Sequence, residues 1–197
     1  MYRQWKKLGA AVALVIGFGA PAAHAATEDL FYDNSARYRP QFLGSFSPEG
    51  IINVFGIRGE VYGGLIQDDS NPDFYAFFAD ANQVLTITVA SSNGPSFGDD
   101  PQVALFDGPF GGPPVASDND SGPGFDARLS YTTWHTGMYI VGVTSSQDLN
   151  FDLGGGSTNF PYLLTIKSEA APVPVPGAAL LLGSGVLGLA GVKRRRS

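Results

Sequence analysis

Hydrophobic residues in the middle of the chain recur at every second position. Residues 84–89 alternate most regularly, and a short continuous apolar run covers residues 103–106. A period of two places alternate side chains on opposite faces of a strand, and β-branched and aromatic residues pack well on such faces. The pattern therefore predicts six strands, at residues 74–78, 84–89, 103–106, 127–132, 138–143 and 162–166.

Less regular segments complete this pattern. Residues 51–55 and 58–65 are predicted to add one or two strands, and residues 26–50 are predicted to form an irregular lead-in or an edge strand. The connecting segments are rich in Gly, Pro, Asn, Asp and Ser, which favour turns. Because no segment of this central part has a helical period, we predict an all-β fold, an antiparallel β-sandwich or jelly roll of about seven to nine strands.

The N-terminus has the order of parts that is typical of a secretory signal peptide. Arg3, Lys6 and Lys7 form a positive region, residues 8–20 are apolar, and a small-x-small sequence ends at Ala25. Such segments are removed during export. We therefore predict a signal helix in residues 1–25, with cleavage between Ala25 and Ala26.

The C-terminus carries a second apolar segment. A Pro-rich linker at residues 169–176 leads into about 16 apolar residues, 177–192, which are at or just under the roughly 17–25 that a membrane-spanning helix needs. A basic tail follows this segment: Lys193, Arg194, Arg195 and Arg196. Because basic residues favour the cytoplasmic side, this segment predicts a hydrophobic anchor helix, with the rest of the chain outside the inner membrane.

The same residues carry a family resemblance. A short motif of Val173, Pro174, Val175 and Pro176, followed by the apolar segment and the basic tail, resembles the PEP-CTERM sorting signal of Gram-negative bacteria. Val175 stands where that family has glutamate. The resemblance implies recognition by an exosortase-type sorting enzyme at the inner membrane. It also implies a cell-surface or extracellular location after C-terminal processing, or otherwise an inner-membrane anchor facing outward.

Charge and cysteine content narrow the functional classes. Residues 26–176 carry five Lys and Arg against all 18 Asp and Glu of the chain, a net charge of −13. Because so acidic a domain repels phosphate backbones, nucleic acid is excluded as a partner. The chain has no cysteine, so the exported domain is expected to rest on its hydrophobic core or on bound metal rather than on disulfides.

A second resemblance covers about residues 60–167. Blocks at residues 73–77, 82–87, 100–107, 116–120 and 136–143 resemble, in order, those of bacterial pre-peptidase C-terminal domains. The resemblance implies a small β-sandwich that binds or solubilises without catalysing. The predicted organisation is a signal peptide (1–25), a lead-in (26–50), a β-sandwich (51–168), a linker (169–176) and a sorting or anchor segment (177–197).

Acidic loops are the candidate metal site. Calcium takes six to eight oxygen ligands, which carboxylates, amide oxygens and loop carbonyls supply. The candidate ligands are Asp99, Asp100, Asp118, Asn119, Asp120 and Asp126. The alternative is that these residues are solvated turn formers, because Asp and Asn readily bond to their own backbone.

Two functions are compatible with these features. The first is a non-enzymatic surface or matrix protein that binds calcium, polysaccharide or both. Aromatic residues in or beside the long loops (Phe97, Phe110, Phe125 and Trp134) either form a sugar platform or close the ends of the sandwich. The second is a secreted glycan hydrolase that uses loop carboxylates such as Asp73, Asp100 and Asp120. His135 is the one histidine outside the signal peptide, and no nucleophile motif accompanies it.

Overall fold

All regular elements in the described part of the chain are strands. The computed structural model describes residues 22–27, 34–46, 49–58, 60–62, 65–67, 71–91, 100–146, 148, 150–151 and 160–172. The strands are β1 (Ala22–Thr27), β2 (Gln41–Ser45), β3 (Gly50–Ile57), β4 (Glu60–Tyr62), β5 (Leu65–Gln67), β6 (Asp73–Ala79), β7 (Gln83–Ser91), β8 (Pro101–Asp107), β9 (Ala116–Asp118), β10 (Ala127–Thr132), β11 (Gly137–Ser145) and β12 (Pro161–Ala170). In these ranges no helix has the length and apolar character to span a membrane. The predicted terminal helices, at residues 8–20 and 177–192, lie outside the described residues.

The strands form two five-stranded sheets and one short pair. Sheet A has the order β1-β3-β12-β7-β10, sheet B has the order β2-β6-β11-β8-β9, and β4 pairs with β5. The all-β fold is thus confirmed, and the two sheets are consistent with the predicted sandwich.

Two edge pairs depart from the predicted antiparallel arrangement. The pairs β1–β3 and β2–β6 are parallel, whereas the other pairs in both sheets are antiparallel. A parallel pair needs a long crossover connection. The chain has room for such a crossover between β1 and β3. The strand that lies between them in the sequence, β2, belongs to the opposite sheet.

Sheet A shows the burial pattern that a period of two predicts. In β7 the side chains of Leu85, Ile87 and Val89 are buried, and the residues between them are partly exposed. Leu164 and Ile166 of β12 face the same core. The inner face of sheet A therefore packs on sheet B, and its outer face meets solvent.

Sheet B is apolar on both faces. Its inner face joins the main core, and a second buried cluster covers its outer face: Phe74, Ala76, Ala104, Phe106, Ile140 and Phe151. Strands buried on both sides read as continuous apolar runs. This burial explains why residues 103–106 lack alternation.

A glycine allows the outer cluster to pack closely. A Cβ at Gly142 would lie 2.9 Å from atoms of both the Phe74 and Phe151 rings. Real Cβ atoms do not approach other atoms so closely, so only glycine leaves room for these two rings against β11. The outer face of sheet B thereby forms an aromatic floor.

All six strands that the hydrophobic pattern predicts are present, and β3 covers the predicted residues 51–55. Residues 51–55 and 58–65 are predicted to add one or two strands, and the second of these ranges contains β4 and the first residue of β5. The pattern missed β9, which has three residues. β2 lies in the predicted lead-in, and β12 continues two residues past the predicted end of the sandwich.

Candidate functional site

A cleft of about 490 Å³ opens on the outer face of sheet B. Its lining comes from three separate segments and the sheet itself: Ser35, Ala36, Arg37, Tyr38, Phe74, Phe106, Gly112, Pro113, Pro114, Asn150 and Phe151. The rings of the outer cluster form its floor, and polar side chains stand around it. A concave surface with an apolar base and a few polar groups is the usual form of a binding site.

Arg37 joins two of the segments that line the cleft. Its guanidinium donates hydrogen bonds to the carbonyl oxygens of Gly112, at 3.0 Å, and Gly111. It also lies over the Phe106 ring, 4.5 Å from the ring centroid, in a cation–π contact. Arg37 therefore fixes residues 34–39, hereafter the Arg37 segment, against the loop after β8.

The backbone conformation of the loop after β8 directs two carbonyl oxygens toward Arg37. Gly111 and Gly112 have φ values of 66° and 78°, a left-handed conformation that glycine adopts without strain. Pro113 and Pro114 then restrict the chain. The loop thus presents two consecutive carbonyl oxygens to one guanidinium.

Tyr38 is the most exposed ring at the cleft, with 69% of its surface accessible. Ser35 and Asn150 line the same cleft and supply further hydrogen-bonding groups. No carboxylate or imidazole is among the described residues that line it. The cleft can therefore stack and hydrogen-bond a polar ligand, but its described lining lacks the acid and base pair that hydrolysis needs.

A second group of side chains lies at the turn between β10 and β11. The Trp134 indole is 68% exposed and packs on the His135 imidazole, with 4.2 Å between ring centroids. His135 Nε2 lies 3.4 Å from Asp107 Oδ1, and His135 Nδ1 lies 3.2 Å from the Tyr139 hydroxyl. We call these four residues the Trp134 group.

The electrostatics of the Trp134 group keep its tyrosine protonated. Burial raises the pKa of Tyr139; the hydrogen bond to His135 acts in the opposite direction, and the charge of Asp107 adds to the rise. Burial, with Asp107, also raises the pKa of neighbouring Tyr131. The Tyr139 hydroxyl therefore remains a donor, and it bonds the His135 carbonyl oxygen at 3.0 Å.

Asp118, the central predicted calcium ligand, is bound by protein donors. Its carboxylate accepts hydrogen bonds from the Ser121 hydroxyl, the Ser121 N–H at 3.0 Å and the Arg128 N–H at 2.7 Å. Burial raises its pKa, but these three bonds outweigh burial and hold the pKa below its ordinary value. The carboxylate thus stays ionised without a cation and ties β9 to β10.

The other predicted metal ligands lie apart or have separate partners. Asp100 accepts a bond from the Ser146 hydroxyl at 2.7 Å, and Asp126 accepts one from the Ser91 N–H at 3.1 Å. Asn119 and Asp120 are exposed in the turn after β9, and Asp99 lies outside the described residues. Within the described ranges, no three His, Asp or Glu side chains gather as a metal site would require. Calcium binding remains a prediction.

The three carboxylates that the hydrolase hypothesis names, Asp73, Asp100 and Asp120, lie in different environments. Asp73 is buried at the start of β6 and accepts a hydrogen bond from the Tyr162 hydroxyl at 2.7 Å. Asp100 lies before β8, and Asp120 is exposed. Asp73 therefore belongs to the core of the sandwich.

The processing residues fall at the edges of the described structure. Ala25 and Ala26, at the predicted signal cleavage, lie in β1. The sorting motif at residues 173–176 and the basic tail at residues 193–196 lie outside the described residues, as does Phe97. The structure leaves both processing predictions open.

Sequence reasoning missed the cleft itself. Arg37 and Tyr38 belong to a segment without periodicity, and Phe151 follows a polar loop. The Gly-Gly-Pro-Pro run at residues 111–114 was the available signal, because it indicates a fixed turn, but it does not indicate what the turn contacts.

Comparisons with known proteins found no matching protein-family model and no matching curated protein. Among solved structures, the pre-peptidase C-terminal domain of a collagenase from Bacillus anthracis is similar at 16% identity and a TM-score of 0.41, covering 65% of this chain and 94% of that domain. PliG from Aeromonas hydrophila, a periplasmic inhibitor of g-type lysozyme, is similar at 14% identity and a TM-score of 0.42, covering 76% of this chain and 100% of PliG. PliG from Salmonella Typhimurium is similar at 15% identity and a TM-score of 0.37, covering 66% and 98%.

Proposed function

We propose that this chain is an exported, non-catalytic protein of the cell surface or extracellular matrix, and that its β-sandwich binds polysaccharide in the cleft on sheet B. Export and sorting follow from the signal peptide and the C-terminal segment that the sequence predicts, with an exosortase-type enzyme as the processing partner. The observation that carries the binding proposal is the cleft lining.

The lining suits a sugar polymer in two ways. Tyrosine presents a flat apolar face with a polar edge, which matches the apolar faces and hydroxyl-bearing edges of a sugar ring. Arg37, Ser35 and Asn150 add donors and acceptors at the rim. Because Arg37 holds two segments together, the cleft exists before the ligand arrives, which lowers the entropic cost of binding.

We favour binding over hydrolysis because the described lining of the cleft contains no carboxyl group. Glycoside hydrolysis ordinarily uses two carboxyl groups on either side of the scissile bond. The described lining has none, and buried Asp73 is committed to Tyr162. A site that stacks and hydrogen-bonds without an acid and a base retains its ligand unchanged.

The experiment is affinity electrophoresis of the purified protein in gels that contain dextran, xyloglucan, mixed-linkage β-glucan, alginate or the exopolysaccharide of the producing cells. We expect retardation by at least one polymer. Tyr38→Ala should weaken that binding about tenfold, the equivalent of about 1.4 kcal/mol, because an anchoring aromatic ring is lost.

Phe55→Ala is the matched control, because Phe55 is 48% exposed on the outer face of sheet A, the sheet opposite the cleft. It should bind like the unaltered protein. Equal binding by the Tyr38→Ala variant, or no retardation by any polymer, would contradict the proposal. Release of new reducing ends from a bound polymer would instead support the hydrolase.

A further inference from the structure

We propose that the Trp134 group is a second sugar-contact site, which takes a neutral sugar ring of the same polymer that enters the cleft. This inference rests on the proposed function. It assigns a ligand class to side chains at the end of the sandwich, where the chain passes from β10 of sheet A to β11 of sheet B.

The Trp134 indole is both exposed and held in place. Its ring packs on His135, which in turn contacts the Tyr139 hydroxyl and the Asp107 carboxylate. Gly137 leaves the room that this arrangement needs, since a Cβ there would lie 2.7 Å from His135 Nε2. An aromatic ring that is already fixed loses little entropy when a ligand stacks on it.

The groups beside Trp134 define the kind of sugar. The side chains of Asp107 and His135 are both about one-third exposed, at 30% and 33%. The Asp107 side chain accepts hydrogen bonds from hydroxyl groups, and its acidic character disfavours ligands that carry carboxylates or sulfates. The net charge of −13 on residues 26–176 acts in the same direction. A neutral sugar ring is therefore the favoured occupant.

This group and the cleft lie near the same end of β8, on different faces of sheet B. Phe106, in the cleft floor, and Asp107, in the Trp134 group, are consecutive residues of β8, so their side chains lie on opposite faces of the sheet. Their partners on β11 divide in the same way, since Ile140 belongs to the outer cluster and Tyr139 to the main core. A polymer that contacts both sites must therefore pass around this end of the sheet, and two such linked contacts strengthen binding through effective concentration.

Tryptophan fluorescence tests the proposal directly. The chain has two tryptophans, Trp5 and Trp134, and Trp5 lies in the predicted signal peptide. In the processed protein, or in a Trp5→Phe variant if processing does not occur, the emission reports on Trp134. Titration with the neutral polymer that the protein binds should shift the emission to shorter wavelength and reduce quenching by acrylamide.

Binding measurements supply the second readout. Trp134→Ala should weaken binding of the long polymer about tenfold, as one lost aromatic anchor predicts. It should leave binding of a disaccharide from that polymer within about twofold, because so short a ligand cannot occupy the cleft and the Trp134 group at the same time. Phe55→Ala again serves as the control.

The outcomes separate the two proposals. Polymer binding that Tyr38→Ala weakens, without a change in fluorescence or quenching and without an effect of Trp134→Ala, would overturn this inference and leave the proposed function standing. Binding of alginate in preference to the neutral polymers would also overturn it. If no polymer binds at all, the proposed function fails, and this inference fails with it.

Discussion

The Tyr162 hydroxyl links the two sheets inside the core. Tyr162, on β12 of sheet A, donates a hydrogen bond to Asp73 Oδ2 at 2.7 Å, and its oxygen lies 2.6 Å from the Tyr75 hydroxyl. Asp73 and Tyr75 both belong to β6 of sheet B. Because the proton of Tyr162 is directed to Asp73, Tyr75 donates to Tyr162.

Tyr162→Phe should therefore destabilise the fold more than Tyr75→Phe. The first change removes both hydrogen bonds and leaves the buried Asp73 carboxylate without this donor, at a cost of about 1–3 kcal/mol. The second change preserves the bond to Asp73 and should cost about 1 kcal/mol. Urea unfolding measures both, with an unchanged m-value as the check that the unfolding transition is the same. Equal costs would show that Tyr162 does not bridge the sheets energetically.

Asp118 should make stability depend on acid pH. Its pKa in the folded protein is lowered, because its hydrogen bonds outweigh the opposing effect of burial. Its contribution is therefore present above the unfolded carboxyl pKa of about 3.9 and is lost as pH falls through the lower folded value. Asp118→Asn should flatten this part of the curve of unfolding free energy against pH.

Asp120→Asn is the charge-matched control, because Asp120 is exposed in the same turn. It should leave the acid dependence unchanged. The same two variants test the calcium prediction: a melting temperature that calcium raises, EDTA lowers and Asp118→Asn uncouples from calcium would support that site. A steeper acid limb in the Asp118→Asn variant would contradict the role of its hydrogen bonds.

The contact between the Arg37 segment and the loop at residues 111–114 should depend on the planar guanidinium of Arg37. Lysine preserves the charge at this position but cannot donate in the same geometry to the carbonyl oxygens of Gly111 and Gly112. Arg37→Lys should therefore cost about 1–2 kcal/mol and loosen the loop at residues 111–114. Hydrogen exchange followed by mass spectrometry should show faster exchange in that loop.

Arg39→Lys is the control for Arg37→Lys, since Arg39 is exposed two residues away. It should leave exchange in residues 111–114 unchanged. If both variants loosened the loop equally, the effect would come from the segment as a whole rather than from the Arg37 hydrogen bonds.

Strands with an alternating pattern could be predicted from the sequence, whereas the surface that they support could not. The alternation in β7 and β10 reflects one buried face, so it carries both the element type and its orientation. β2 lacks such a pattern because it pairs in parallel at an edge and has a register shift between Phe42 and Gly44. The cleft combines residues 35–38 with residues 112–114 and 150–151, and no local pattern encodes contacts between segments so distant in sequence.

For the candidate sites, the sequence identified individual residues but not the partners that other strands bring to them. Asp118 was singled out by its type, but its role depends on Arg128, whose N–H reaches it only because β9 and β10 lie close together. Trp134 was identified as a platform candidate because it lies beside a long loop and presents a flat aromatic face. Its support by Asp107 depends on the pairing of β8 with β11, which the sequence does not display.

At the scale of the whole molecule, the predicted signal cleavage falls within β1, the edge strand of sheet A. β1 lies parallel to β3 over six residue pairs, from Ala22 and Gly50 to Thr27 and Phe55. Cleavage after Ala25 would remove the first four residues of β1 and leave Ala26 and Thr27. The outer edge of β3 would then lose most of its partner, so the mature protein would expose backbone groups that the uncut chain pairs.

The intact mass of the protein recovered from envelope and medium tests this processing. We expect a species that begins at Ala26 and ends near Pro176, because the sequence predicts signal cleavage after Ala25 and removal of the apolar segment and basic tail by a sorting enzyme. Added mass at the new C-terminus would indicate attachment to a surface component. A species that retains residues 177–197 would mean that the segment is a plain membrane anchor, and the sandwich would then act while held at the inner membrane. Retention of residues 1–25 would contradict the signal peptide and would make β1 a permanent strand of sheet A.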